Sequence, residues 1–234
     1  MYQKLVELDK IRHKNFKFNP LHDLNFAKDV KSVPLAAREI PQIAEHFPVV
    51  FLGGENPAII TLLSLGDGNL GINKDGKWIT PHVPSFLRRY PFSVSYPKGE
   101  PEKSILVIDE ESKAFSKSKG KQLFKRDGEN SELLKTVMEF VTNVENQTII
   151  AKNIAKLMDE SGILEDKEIS VGKGEDKRIL VSGFKVVNKE KLNALGDDVL
   201  AEWTKKGFMS LIDAHLDSLK NINTLFNIVQ QRKS

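Results

Sequence analysis

From Leu134 to Met158, side chains able to pack recur every three or four residues: Leu134, Val137, Met138, Val141, Val144, Thr148, Ala151, Ala155 and Met158. At about 3.6 residues per turn, that spacing draws one stripe along an α-helix. Asn130 or Ser131 can cap its start, and Gly162 can stop it. At about 1.5 Å per residue the rod would reach roughly 45 Å. A helix of that length is expected to straddle two parts of the molecule, so the rest of the fold must be built around it.

Upstream, the pattern is that of strands. Tyr2–Leu8 alternates, and Asn15–Phe18 can form a second short strand. The runs "PVVFLGG" and "PAIITLLSL" are apolar and bounded by Gly, Asn and Pro, as buried strands are, and "NLGIN" follows as a short third. "NKDGKW" is a turn in which Gly76 supplies a positive φ. "FSVSYP" and "KSILVID" read as two further strands. Between Ser32 and Phe47 the sequence predicts one or two helical turns, with Ser32 as cap, Pro34 in the first turn and Pro41 interrupting any longer helix. The polar stretch Ser112–Arg126 reads as a surface loop.

Beyond the long helix, "KEISVGKGEDKRILVSGFKVVN" predicts a hairpin plus a further strand, with "VGKGEDK" at the tip. That segment lacks the spacer and terminal Gly-Lys-Ser/Thr of a phosphate-binding loop. Asp197 or Asp198 can cap a helix over Val199–Lys205 that Gly207 ends. Phe208, Ile212, His215, Leu219, Ile222, Phe226 and Val229 then trace one apolar stripe, and the terminal "QQRKS" should fray. The fold class is α+β: a strand-rich N-terminal half, a long central helix, a small β-hairpin and a helical C-terminus. One domain over residues 1–234 accounts for this, with a possible division into 1–129 and 130–234 and the hairpin at about 165–187.

Composition narrows the chemistry. The 35 basic and 32 acidic residues are interspersed, and a net charge of +3 makes no nucleic-acid footprint. No cysteine is present, which removes disulfides, thiolate metal sites and a cysteine nucleophile. The segment "MYQKLVELDKIRHK" has no apolar signal region, and the longest apolar runs are too short to span a bilayer. A cytoplasmic location, without membrane insertion, is the expectation unless a dedicated exporter acts.

One stretch, "VPSFLRRYPF" at Val83–Phe92, sets two arginines among aromatics and prolines. Pro84 can open a short helix through Ser85–Tyr90, and Pro91 closes it. Phe86 and Tyr90 would share a face at i,i+4, whereas Arg88 and Arg89 project about 100° apart. The nearest candidate acids are Asp109 and Glu110, where the apolar strand "ILVI" ends in "DEES". A bidentate pair with one of them is one reading, and the general behaviour of paired charges favours it. The other leaves one arginine free to receive an anionic ligand, with Trp78, His82 and Tyr90 as a stacking wall. Candidate ligand-binding residues are therefore Arg88, Arg89, Tyr90, Trp78 and His82, supported by Asp109 and Glu110.

The remaining candidates are weaker. His215 lies between Asp213 and Asp217, yet it falls on the apolar stripe and they do not; a packed core histidine is the expected outcome. His13 and His22 lack ligand spacing, and His46, before Phe47–Pro48, reads as a helix-end residue at the negative end of the dipole, so no metal site is expected. There is no G-x-S-x-G elbow and no calcium loop. No catalytic residue and no cofactor are assigned.

Several phrases, taken in order, resemble the bacterial SapC family: "YQKLVELDKIRH", "VPLAAREIPQIAEHFPVVF", "DGKWITPHVPSFLRRYPF", "VIDEES", "LFKRDGE" and "GFMSLIDAHLDSLKNINTL". The resemblance spans nearly the whole chain. It implies a connection with bacterial surface layers, but no biochemical activity and no catalytic residues. A peptide-transporter permease that shares the name is a membrane protein, which the absence of a spanning segment separates from this chain. The expectation is a non-catalytic cytoplasmic accessory protein that binds a protein partner or a small anionic component through the arginine–aromatic site. The alternatives are an enzyme using that pocket with His82 or His215 moving a proton, and a structural subunit of the surface layer.

Overall fold

Two hydrophobic cores share one helix. The computed structural model describes residues 1–100, 103–172 and 174–233. Along the chain run β1 (Leu5–Glu7), β2 (Lys17–Phe18), β3 (Ser32–Pro34), α1 (Ile40–Ala44), β4 (Val49–Leu52), β5 (Ala58–Leu62), α2 (Ser85–Arg88), β6 (Phe92–Ser95) and β7 (Ile105–Asp109). Then follow β8 (Phe115–Ser116), β9 (Lys121–Gln122), α3 (Glu132–Glu160), β10 (Leu164–Val171), β11 (Arg178–Val187), α4 (Lys189–Asn193), α5 (Asp197–Lys205), α6 (Phe208–Ser218) and α7 (Asn221–Lys233). The fold is α+β, with the long central helix and helical C-terminus that the sequence predicts.

The larger core lies on a five-stranded antiparallel sheet of order β10-β11-β4-β5-β3. Its central strands, VVFL and AIITL, are apolar at nearly every position because helices and sheet leave them little solvent. The smaller core lies under the sheet β1-β7-β6, flanked by the short sheet β8-β2-β9. Helix α3 packs against β5 of one sheet and β6 of the other. Leu134 and Val141 belong to the smaller core, whereas Ala151, Ile154, Ala155 and Met158 belong to the larger. Ser131 caps the helix through its hydroxyl, which accepts the Leu134 N–H at 3.2 Å, and Gly162 follows the end at φ +79°. Among the described residues no helix is long and apolar enough to cross a membrane.

Local readings fail where tertiary pairing overrides them. Ser32–Pro34 is the edge strand β3, paired with β5 from Ser32↔Leu62 to Pro34↔Ile60, because an edge tolerates proline's missing N–H. The helix starts later, and Pro41 stands in its first turn instead of breaking it. "NLGIN" forms no strand; a single bridge joins Ile72 to Trp78 across the Gly76 turn. The Ser112–Arg126 stretch contains β8 and β9, both bonded to β2. The 164–187 segment is one hairpin without a further strand; its register shifts around Ile169, and Lys173 at its tip lies outside the described residues. Gly196, not an aspartate, occupies the cap position of α5.

The C-terminal stripe is split. Ser218 and Asn221 flank the break, and each bonds a backbone group of another element: Val49 N–H donates to the Ser218 hydroxyl at 2.9 Å, and Asn221 donates to Ala44 O at 2.8 Å. Nor does the end fray as expected. Helix α7 runs to Lys233, and the Arg232 guanidinium donates to the carbonyls of Asn69, Leu70 and Ile72 at 3.3, 3.0 and 2.6 Å. Ser234 lies outside the described residues.

Candidate functional site

The arginine turn sits at the seam between the two cores. Leu87 is buried in the larger and Phe92 in the smaller. Pro84 precedes α2 with φ −51°, the value its ring imposes, and ψ 135°, and Glu39 fastens the turn from the other side. The Glu39 carboxylate is buried. One oxygen accepts the Ser85 N–H at 2.8 Å and the Ser85 hydroxyl at 2.7 Å; the other accepts the Ala36 N–H at 3.0 Å.

The two arginines separate to opposite flanks of α3. Arg89, 9% exposed, places Nη1 3.2 Å from Glu145 Oε2 and its guanidinium 4.4 Å from the centre of the Phe86 ring. Arg88 is exposed; its Nη2 donates to the Ser85 hydroxyl at 2.7 Å, and its guanidinium lies 5.3 Å from the Phe140 ring centre. At about 100° per residue, Phe140 and Glu145 stand roughly 140° apart and bracket the buried pair Val141 and Val144. The turn thus grips the helix stripe from both sides. Among the described residues no carboxylate pairs with Arg88.

The acids expected to face the arginines do not. Asp109, fully buried, accepts the Tyr90 hydroxyl at 3.0 Å and the N–H groups of Gln3 and Lys4 at 3.1 and 2.8 Å. Glu110 pairs with Arg12 at 2.6 Å and Lys4 at 2.9 Å, with His13 Nε2 at 3.5 Å. The Lys4 hydrogen bond, aided by Arg12, brings its pKa down to about 2. The reason is sheet pairing: β7 lies beside β1, with Leu5 opposite Asp109, so the strand end meets the N-terminal segment. Asp109 meets the motif through its own N–H, which donates to Pro91 O at 2.9 Å, and through Tyr90, whose hydroxyl pKa is raised, first by burial and also by that carboxylate.

A cavity of about 510 Å³ opens beside the turn. Phe18, Phe92, Val137, Phe140 and Val141 wall it from the smaller core, and Leu24, Phe26, Trp78, Val83 and Leu87 from the larger. Arg88, Arg89 and Tyr90 line it, so four of the five expected ligand residues converge there. Tyr90 stacks on Phe26 at 4.1 Å and 14°, while Phe86 lies under Arg89, so the expected Phe86/Tyr90 face is divided between partners. Trp78 donates its indole N–H to His82 O at 2.9 Å and Thr80 Oγ1 at 2.7 Å, and its ring packs on Phe47. Lys77, His22 and Asp23 complete the rim.

His82 stands apart from this cavity. Its Nε2 lies 3.2 Å from Glu39 Oε2, and it borders a second, polar cavity of about 190 Å³ with Arg38, Ser85, Asn143 and Gln147. Arg88 and Phe140 border both cavities. Sequence reasoning missed Glu39, Phe140 and Glu145. The last two flank the α3 stripe, and that position was the available signal; nothing local marks Glu39.

His215 is the packed core histidine that its place on the stripe predicts. Val187 N–H donates to Nε2 at 3.1 Å, Nδ1 donates to Val49 O at 2.7 Å, and Phe51 meets the ring edge-on. Burial lowers its pKa to about 4. With both nitrogens engaged inside helix–sheet packing, it has no route to the arginine turn as a proton carrier. Among the described residues no group of three or more His, Asp or Glu side chains is placed to hold a metal ion.

The SapC family model matches residues 8–225 of the 234. No curated protein and no solved structure matches the chain. The family match takes in the arginine turn, both cores and the whole of α3, so the chain belongs to the SapC family.

Proposed function

We propose that this chain is a binding protein for a small anionic molecule with an apolar body, held in the cavity at the seam with Arg88 as its counter-charge. The carrying observation is the pairing of that cavity, about 510 Å³ and walled by rings, with a guanidinium that no carboxylate of the described residues neutralises. The volume falls within the roughly 300–1,000 Å³ of small-molecule sites, which combine apolar walls with few polar groups. Arg89 is already balanced by Glu145 and serves the scaffold. Arg88 holds only a hydroxyl and a ring face, and guanidinium suits a carboxylate or phosphate through paired hydrogen bonds.

The surface-layer setting and the cytoplasmic location enter this proposal from the family resemblance and the sequence alone. In that setting the protein would be an accessory that binds a component, not a part of the array. Fractionation of producing cells tests the point: recovery of intact chain in the assembled layer would replace the accessory role with that of a subunit.

The binding test is a thermal-shift screen of aryl and alkyl carboxylates, phosphates and acidic sugars against the wild type and Arg88→Ala. A ligand at 100 times its Kd should add about 2.7 kcal/mol to stability. If no compound shifts the wild type, or if the variant shifts equally, the proposal fails.

A further inference from the structure

Resting on that reading, the geometry points to a two-part site: the ligand is an alkyl or aryl-alkyl carboxylate whose head lies in the polar cavity between Arg38 and Arg88, while its tail fills the aromatic cavity. The polar cavity is about 190 Å³, below the roughly 300 Å³ at which whole-ligand sites begin. At about 30 Å³ per water it holds roughly six waters, which is room for an oxyanion head with a few waters but not for a ligand of about ten or more heavy atoms. It is therefore a compartment for one end of a molecule whose remainder lies elsewhere, and the larger cavity adjoins it across Arg88 and Phe140.

The lining chooses the head. Arg38 is exposed, and among the described residues it pairs with no carboxylate. Arg88 likewise has only Ser85 and the Phe140 ring. The one acid in the cavity, Glu39, has its oxygens engaged by Ala36, Ser85 and His82. The Asn143 and Gln147 side chains, one turn apart on α3, make no hydrogen bond among the described residues and can donate to an anion. Two guanidiniums against one carboxylate leave an excess of one positive charge, which matches a monoanion better than a doubly charged phosphate. The pair of exposed Arg88 and half-buried Phe140 is the partition under which the ligand would pass.

The test is calorimetric titration of decanoate, decanol and decyl phosphate into wild type, Arg38→Ala and Val137→Phe. Arg38 is exposed and its side chain has no partner among the described residues, so its variant should melt as the wild type does. Wild type should bind decanoate at least tenfold more tightly than decanol. Arg38→Ala should erase most of that margin and leave decanol unchanged, because a charge-assisted contact is lost and the tail compartment is not. Val137→Phe, which fills the aromatic cavity, should weaken both. If Arg38→Ala binds decanoate like the wild type while Val137→Phe does not, the head is not in the polar cavity; the two-part site falls and the binding reading stands. If decyl phosphate is preferred in an Arg38-dependent manner, the carboxylate assignment is overturned. If wild type binds none of the three, the two-part site is overturned, and a hit from the wider screen that Val137→Phe leaves untouched would remove the cavity reading as well.

Discussion

Arg89 and Glu145 meet across the seam of the two cores, 3.2 Å apart, while Arg88, one residue earlier, turns to Phe140 on the other flank of the same helix. Adjacent arginines thus have different tasks. Arg89 is 9% exposed and Glu145 21%, so their pair is shielded from water, and Arg89 also covers the Phe86 ring. Removing one member of such a pair strands the other and forfeits packing. Arg89→Ala should cost about 2–3 kcal/mol in urea unfolding, discounted from a fully buried pair because Glu145 retains some solvent. Arg88→Ala should cost less than about 1 kcal/mol, since Arg88 itself is exposed where it lies over the Phe140 ring. Equal costs for the two would mean that the division of labour is wrong.

His215 makes stability depend on pH in a defined window. Burial lowers its folded pKa to about 4 from 6.5. Between those values the unfolded chain binds a proton that the folded chain refuses, so stability rises with pH through the window and falls as pH drops from 6.5 towards 4. The full contribution is about 3 kcal/mol. Urea melts at pH 7.5, 6, 5 and 4 should show that loss, and His215→Gln, though less stable throughout, should show it reduced. Direct titration of the ring by NMR should give a midpoint near 4; a midpoint near 6.5 would mean the ring is accessible to water.

What the sequence made legible was whatever short-range periodicity encodes. The α3 stripe, its Ser131 cap and its Gly162 stop were readable because helix spacing and end chemistry are local. So was the placement of His215 in the core, since a single stripe carries it. Ser32–Pro34 misled because Ser then Pro imitates a helix start, and only its pairing with β5, some thirty residues later, makes it a strand. The site was half legible for the same reason. Arg88, Arg89, Tyr90 and Trp78 announced themselves by composition and do share a cavity. Their partners did not, because Asp109 and Glu110 answer to β1 pairing, whereas Glu39 and Glu145 arrive from distant elements.

Gly71 lies against the Trp78 ring, which forms part of the cavity wall. A Cβ on residue 71 would lie 2.6 Å from Trp78 Cη2 and 2.7 Å from Cζ3, closer than packed atoms allow. The indole cannot simply swing away, because its N–H is bonded to His82 O and its ring packs against Phe47 at a tilt of 46°. Gly71→Ala should therefore shift the ring and cost about 1–3 kcal/mol, as overpacking does. The chain has two tryptophans, so 5-fluorotryptophan labelling gives two ¹⁹F resonances. The Trp78 signal should move in the variant and the Trp203 signal should not. An unmoved Trp78 resonance would show that the contact is relieved elsewhere.

Arg232 closes the molecule from its far end. Its guanidinium donates to the carbonyls of Asn69, Leu70 and Ile72, the segment that leads into the Gly76 turn and Trp78. These carbonyls lie in an irregular stretch, where strand partners are missing and a charged donor substitutes for them. Leu225, fully buried, anchors the middle of α7, so the clamp governs the last turns of that helix and not its existence. Arg232→Ala should cost about 1–3 kcal/mol, which at about 2–4 °C per kcal/mol is a visible fall in Tm. Hydrogen exchange should accelerate at the end of α7 and in residues 69–72 together, because one side chain holds both. Faster exchange at the helix end alone would mean that the carbonyl contacts do not restrain the loop, and that the cavity wall at Trp78 is held by the Ile72 bridge, Phe47 and the indole hydrogen bonds without help from Arg232.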